Sequence, residues 1–202
     1  MVKRKTVPFY LPLLGRFNVL NALAAIAVGL HMGLEIRDIA HRLMQFRNLS
    51  IHMEKVNFRR KIVLINDFYN ANPKAVKSAL EEVSDIAKGR FKVVILGDMM
   101  ELGEKAIDFH QEIGYKVASL SYDLVITVGD LARYIALGAV EKGITKKNVF
   151  SFKQNEKESL ANLLMNRIPE NSIVLVKGSR QMKMENIITC WEQFEQKRMD
   201  LI

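Results

Sequence analysis

From Lys61 onwards, short β-branched apolar runs alternate with longer amphipathic ones, and this alternation restricts the possible fold more than any other feature. The apolar runs at 61–66, 92–97, 124–128, 148–152 and 172–176 read as strands, and helical spacing predicts helices at 73–88, 105–119, 130–142, 156–167 and 183–198. Strands that are apolar on both faces and separated by helices belong in a mostly parallel sheet covered on both sides, a Rossmann-like α/β arrangement. Lys61–Gly89 shows the unit most clearly. Lys-Ile-Val-Leu-Ile (61–65) runs into the polar elbow Asn66–Pro73. Asn72 is placed to cap the next helix and Pro73 to open it. Val76, Ala79, Leu80, Val83, Ile86 and Ala87 supply that helix's apolar stripe, and Gly89 its stop.

Upstream the pattern differs. Residues 6–16, with Pro8, Pro12 and Gly15, read as an extended approach to a helix at Asn18–His31, with Leu20, Leu23, Ala24, Ala27 and Leu30 on its buried side. A second helix at Glu35–Phe46 places Ile36, Ile39, Ala40, Leu43 and Met44 on one stripe. A helical pair with no sheet of its own reads as the end of a larger domain. Arg47–Arg60 is a polar joint with one strand at Met53–Phe58. Lys3-Arg4-Lys5 ahead of Ala22–Leu30 has the outline of a signal peptide, but Pro8, Pro12, Arg16, Asn18 and Asn21 interrupt it. The apolar run falls short of the roughly 20 residues a bilayer requires. The expectation is a cytoplasmic fold without a membrane span.

Composition narrows the partners. Thirty basic against 22 acidic residues give +8, yet the Lys and Arg are scattered, with no basic run interleaved with aromatics. That favours anionic small molecules over nucleic acid. A single cysteine, Cys190, excludes an internal disulfide and a cysteine-based metal cluster, and its amphipathic surroundings suggest a buried structural thiol. His31, His41, His52 and His110 show no ligand spacing, and His110 reads as a satisfied histidine on a helix surface.

In a parallel sheet, ligands bind beyond the carboxyl ends of the strands. There this chain carries Asn66–Pro73, Gly97–Gly103, Gly129-Asp130 and Lys177-Gly178-Ser179-Arg180. One edge therefore collects Asp67, Asp98, Glu101, Lys177, Ser179 and Arg180. A strand-end Asp also serves as a turn or cap residue, and Gly97–Gly103 lacks the dinucleotide spacing. A Lys and an Arg flanking Gly and Ser suit a carboxylate or phosphate. Asn18 and Asn21, three apart, share a helix face and could pair with an adenine edge, or serve as a cap and a solvated amide.

Taken in order, Gly15-x-Phe17-Asn18-x-x-Asn21-Ala22-Leu23-Ala24-Ala25, Asp67-x-Tyr69-Asn70-Ala71-Asn72-Pro73, Leu96-Gly97-Asp98-Met99-x-Glu101-Leu102-Gly103 with His110, and Val174-Leu175-Val176-Lys177-Gly178-Ser179-Arg180 with Met184-Glu185 resemble the Mur ligase family. The resemblance covers nearly the whole chain. The Tyr69–Pro73 and Val176–Arg180 stretches point to the member that adds D-alanyl-D-alanine to UDP-N-acetylmuramoyl-tripeptide. What it implies is an ATP-dependent amide-forming enzyme of peptidoglycan synthesis, working through an acyl phosphate. Residues 1–47 would be the tail of the central ATPase domain, and 48–202 the C-terminal Rossmann-like domain. Carried over by motif, Asn18 and Asn21 would contact adenine and Asp67 the ribose hydroxyls. Tyr69, Asn70 and Asn72 would shape the loop facing the nucleotide and the incoming amine. Lys177, Ser179 and Arg180 would face the dipeptide carboxylate or the developing phosphate charge.

Some family features are absent from these 202 residues. There is no G-x-x-x-x-G-K-[ST] loop, and the carboxylates and modified lysine that hold metal in the family are missing, so Mg²⁺ is expected to be held by residues outside this chain. Phe17 stands where the family usually has His, and His52 where an Arg is common. The expectation is that the chain alone is inactive and works with the missing ligase domains. Two alternatives share the pattern: a non-catalytic Rossmann-like binding module, and a folylpolyglutamate-type ligase.

Overall fold

The computed structural model describes residues 6–46 and 52–200, which fall in two compact units, 1–50 and 51–202. Lys3-Arg4-Lys5 and the start of the joint, 47–51, lie outside the described residues.

The first unit is a helical pair, α1 (Arg16–His31) and α2 (Ile36–Met44). The first helix starts earlier than its Asn18 suggested, with Gly15 as the capping residue. It ends in a Schellman turn, where Leu34 N–H reaches Gly29 O at 3.0 Å across Gly33, whose φ of 82° suits glycine. The buried face of α1 departs from the sequence expectation. Leu20, Leu23 and Leu30 are 69%, 51% and 48% exposed, while Ala22 and Gly29 are buried. At Gly29 a Cβ would come within 2.8 Å of Ile39 Cδ1, so the smallest residues form the seam. Because α1 is apolar around most of its circumference, periodicity could not single out the face that meets α2. On α2, Ile39 and Ala40 are buried and Met44 is exposed.

The second unit is a six-stranded sheet in the order β1-β2-β6-β3-β4-β5. Its strands are β1 (Glu54–Asn57), β2 (Val63–Asp67), β3 (Lys92–Gly97), β4 (Leu124–Val128), β5 (Val149–Phe152) and β6 (Ile173–Lys177). All neighbours are parallel except β1, which pairs antiparallel with β2. The helices are α3 (Pro73–Ala87), α4 (Ala106–Ser119), α5 (Arg133–Glu141), α6 (Lys157–Arg167) and α7 (Glu185–Met199). The side chains of β2, β3, β4 and β6 alternate between two faces. Leu64, Val93, Ile95, Leu124, Ile126, Val174 and Val176 pack with Leu160 and Leu164 of α6 and with Ile187, Ile188 and Trp191 of α7. The intervening residues, Ile65, Val94, Val125 and Leu175 among them, are buried on the other face, where α3, α4 and α5 lie. Between α4 and α5 the backbones nearly touch, since a Cβ on Gly114 would sit 2.2 Å from Ile135 O.

The β1–β2 connection carries a turn that composition did not announce. Ile62 N–H donates to Arg59 O at 3.1 Å, and both central residues, Arg60 and Lys61, are left-handed with φ of 56° and 57°. Asn-Gly usually fills such a turn. Here the Arg60 guanidinium is held by Glu195 Oε1 at 2.7 Å and Ile168 O at 3.1 Å, which offsets the backbone cost. Cys190 is only half-buried rather than sealed in the core, though burial still raises its thiol pKa.

Candidate active site

The register creates the site. Parallel pairing of β2 and β6 sets Asp67 opposite Lys177 at the carboxyl end of both strands. Both side chains are buried, and Lys177 Nζ lies 2.6 Å from Asp67 Oδ2. The ammonium also donates to Asn70 O at 2.8 Å and to Asp67 O at 3.3 Å, clamping the elbow that leads into α3. Burial lowers the Lys177 pKa, and the Asp67 charge pulls it back up. Within the elbow, Asn70 Oδ1 accepts from Ala71 N–H at 2.8 Å, and Asn72 Oδ1 caps α3 through Ala75 N–H at 2.9 Å. Both amides therefore shape backbone. Tyr69 stays 52% exposed, its ring 4.6 Å from that of His52. His52 Nδ1 is 3.6 Å from Asp67 Oδ1, and Met53 N–H reaches the same oxygen at 3.4 Å. Spacing along the chain could not have linked His52 to Asp67; the antiparallel hairpin does so.

Three further loops are stitched to this edge. Ser179 N–H donates to Asp98 O at 3.1 Å, and Ser179 Oγ accepts from Met100 N–H at 2.9 Å. The Asp98 carboxylate accepts from Leu131 N–H at 3.1 Å and Ala132 N–H at 2.6 Å, so it anchors the turn after β4. Gly129, at φ 120°, has no room for a side chain there, because a Cβ would fall 2.3 Å from Asp98 Oδ1. Gly97 and Gly178 pack against each other beneath Met182 and Met184.

His110 is a correction to the sequence expectation. It is fully buried rather than on a helix surface. Nε2 accepts from Met99 N–H at 2.9 Å and Nδ1–H donates to Ala106 O at 2.6 Å, so the neutral ring holds the 98–103 loop onto α4. Burial depresses its pKa below the ordinary 6.5. A depressed folded-state pKa gives stability that is complete above the unfolded value and lost as pH falls through the folded one. Asp98, pushed up by burial, runs the other way, contributing most below 3.8 and less as pH rises through its raised value; burial outweighs its coupling to His110, so its direction is the same in both chains. His110→Leu is expected to cost about 2 kcal/mol at pH 7.5. The gap from the unsubstituted chain should narrow at pH 5; urea unfolding at both pH values checks this, and an unchanged gap would count against a neutral buried ring.

The elbow at 67–73 and the turn at 177–180 thus form one rim of loops at the carboxyl ends of parallel strands. Residues 53–180 match the family described as Mur ligase, glutamate ligase domain. The chain belongs to the Mur ligase family.

Among relatives, the UDP-N-acetylmuramoyl-tripeptide–D-alanyl-D-alanine ligase of Bacillus subtilis is 34% identical over 89% of this chain and 39% of its own length. MurF from Acinetobacter baumannii superposes with a TM-score of 0.81 and 29% identity over 92% of this chain and 40% of that one. MurF from Thermotoga maritima, solved in complex with ADP, shares the fold with a TM-score of 0.73 and 23% identity, over 94% of this chain and 40% of that one. This Mur ligase chain thus spans about two-fifths of the length of the relatives it matches.

The remaining expected site residues lie as follows in this Mur ligase chain. Arg180 is exposed and pairs with Glu185 at 3.0 Å, and Glu101 is exposed on its loop. Asn18 and Asn21 belong to the helical unit, where Asn21 Nδ2 donates to Asn18 Oδ1 at 3.1 Å and Asn18 Nδ2 to Leu14 O at 2.6 Å. They do share one helix face, as their spacing required. Among the described residues no three His, Cys, Asp or Glu side chains converge as a metal site would need. No described helix is long and apolar enough to cross a membrane. Two open hollows, one around Arg90 and Asp123 and one between Asn57 and Gln193, lie at the opposite, amino end of the parallel strands.

Proposed function

We propose that this chain is the carboxyl-terminal part of an ATP-dependent ligase that joins D-alanyl-D-alanine to UDP-N-acetylmuramoyl-tripeptide in peptidoglycan precursor synthesis. Residues 1–47 would be the tail of the central ATPase domain and 48–202 the C-terminal domain. The observation that carries this reading is the Lys177–Asp67 pair, which locks the 67–73 elbow and the 177–180 turn into one rim. The relatives named for this activity support it.

In this reading Asn18 and Asn21 meet the adenine edge and Asp67 the ribose hydroxyls. Tyr69 forms the exposed wall of the elbow, while Asn70 and Asn72 hold its backbone. Arg180, free to reorient because its pair with Glu185 is exposed and weak, meets the dipeptide carboxylate or the charge developing on the transferred phosphate. Ser179 holds the loop beside it. Fixed donors and cations at that position stabilise an anionic transition state without reorganising. ATP binding through a phosphate loop, Mg²⁺ ligation and the UDP-sugar site belong to the rest of the ligase, which acts in the cytoplasm where ATP is supplied.

The test is dipeptide-dependent phosphate release with ATP, Mg²⁺ and UDP-N-acetylmuramoyl-tripeptide. It is run on this chain alone and on the chain joined behind the remaining part of the Bacillus subtilis relative. The joined protein is expected to turn over, and Arg180→Ala to lower its rate roughly 10²-fold. The chain alone is expected to be silent. Full turnover by the chain alone, or a joined protein indifferent to the dipeptide, would overturn the assignment.

A further inference from the structure

We propose that Lys177 is a positioning residue: its ammonium orients and neutralises Asp67 for a ligand's hydroxyls and does not itself touch substrate. This rests on the reading of Asp67 as the group that meets the ribose.

An ammonium has three protons and no acceptor capacity. All three of Lys177 have acceptors on the elbow: Asp67 Oδ2 at 2.6 Å, Asn70 O at 2.8 Å and Asp67 O at 3.3 Å. The side chain is 2% exposed, so no donor faces the rim. Recruiting the ammonium to a substrate carboxylate or phosphate would break a buried ion pair and release the elbow. The same contacts decide how Asp67 is presented. Oδ2 is turned towards β6, whereas among the described residues Oδ1 has only the long contacts to Met53 N–H at 3.4 Å and His52 Nδ1 at 3.6 Å. A carboxylate oxygen can accept two hydrogen bonds, so Oδ1 keeps capacity for a hydroxyl donor. The ammonium also cancels the Asp67 charge, which would otherwise repel nucleotide phosphates brought to the same rim.

The experiment measures binding of ADP, whose ribose hydroxyls are free, by isothermal titration calorimetry to the chain carrying Lys177→Met, Asp67→Asn, or both. Each single substitution is expected to weaken binding by about tenfold, the scale of one charged hydrogen bond. The double substitution should weaken it no further, because Lys177 acts through Asp67. Folding is controlled with Lys177→Cys in a Cys190→Ser background, alkylated either with 2-bromoethylamine, which rebuilds an ammonium at the same reach, or with iodoacetamide, which leaves a neutral amide. The ammonium adduct is expected to bind within about twofold of the unsubstituted chain, and the amide adduct to match Lys177→Met.

Losses that multiply in the double variant would mean that Lys177 meets the ligand directly, and the proposal falls. An unchanged affinity in Lys177→Met beside a weakened one in Asp67→Asn also overturns it, while leaving the ribose reading intact. An Asp67→Asn chain that binds normally, or an unsubstituted chain that does not bind, removes the ribose reading and the proposal with it.

Discussion

Trp191→Ala is expected to lower the stability of the 51–202 unit by about 3–5 kcal/mol, the usual cost of truncating a fully buried large aromatic. Trp191 has no exposed surface, lies 4.2 Å from the ring of Phe58, and joins α7 to β1 and the sheet face beneath. Its indole N–H has no hydrogen-bond partner among the described residues, so Trp191→Phe gives up volume but no bond and should cost much less. Urea unfolding followed by circular dichroism checks both, because Trp191 is the chain's single tryptophan and its fluorescence disappears with it. Equal losses in the two variants would mean that the polar edge of the indole, and not its bulk, matters.

Glu195→Leu is expected to cost about 3 kcal/mol, the lower end of what removing one partner of a buried ion pair costs. The lower end applies because the Arg60 side chain is 22% exposed and can recover some hydration. The loss would strike the left-handed turn at Arg60-Lys61, whose guanidinium tie to α7 would go with Glu195. Arg60→Met together with Glu195→Leu should recover much of the stability, since two apolar groups replace a pair that desolvation already weakened. Differential scanning calorimetry of the single and double variants is the measurement. A double variant no better than the single would place the cost in the leucine's packing.

The elements and the location of the candidate site were legible along the chain because both rest on local chemistry. The Asn72 cap and the Pro73 start lie where their side-chain chemistry required, and α3 closes through Lys88 and Gly89, both with positive φ. The polar loops carrying Asp67, Asp98 and Ser179 do lie at one edge, because strands in a parallel sheet point the same way. Asp98 shows where that reading stopped: its carboxylate is taken up by Leu131 and Ala132 N–H groups, a cap for a loop more than thirty residues on. The Arg60-Lys61 turn could not be read because neither residue signals a left-handed backbone. Its support comes from Glu195, far along the chain.

By itself, the order of residues determined a parallel α/β unit behind a helical pair, and which loops would carry the chemistry. Periodicity and capping act over a few residues and can be read from them. Only the tertiary structure decided that β6 inserts between β2 and β3, that Lys177 gives all three protons to the elbow, and that His110 is sealed beneath the 98–103 loop. Each depends on pairing or burial between distant segments, and a residue's type does not say which neighbour will take its hydrogen bonds.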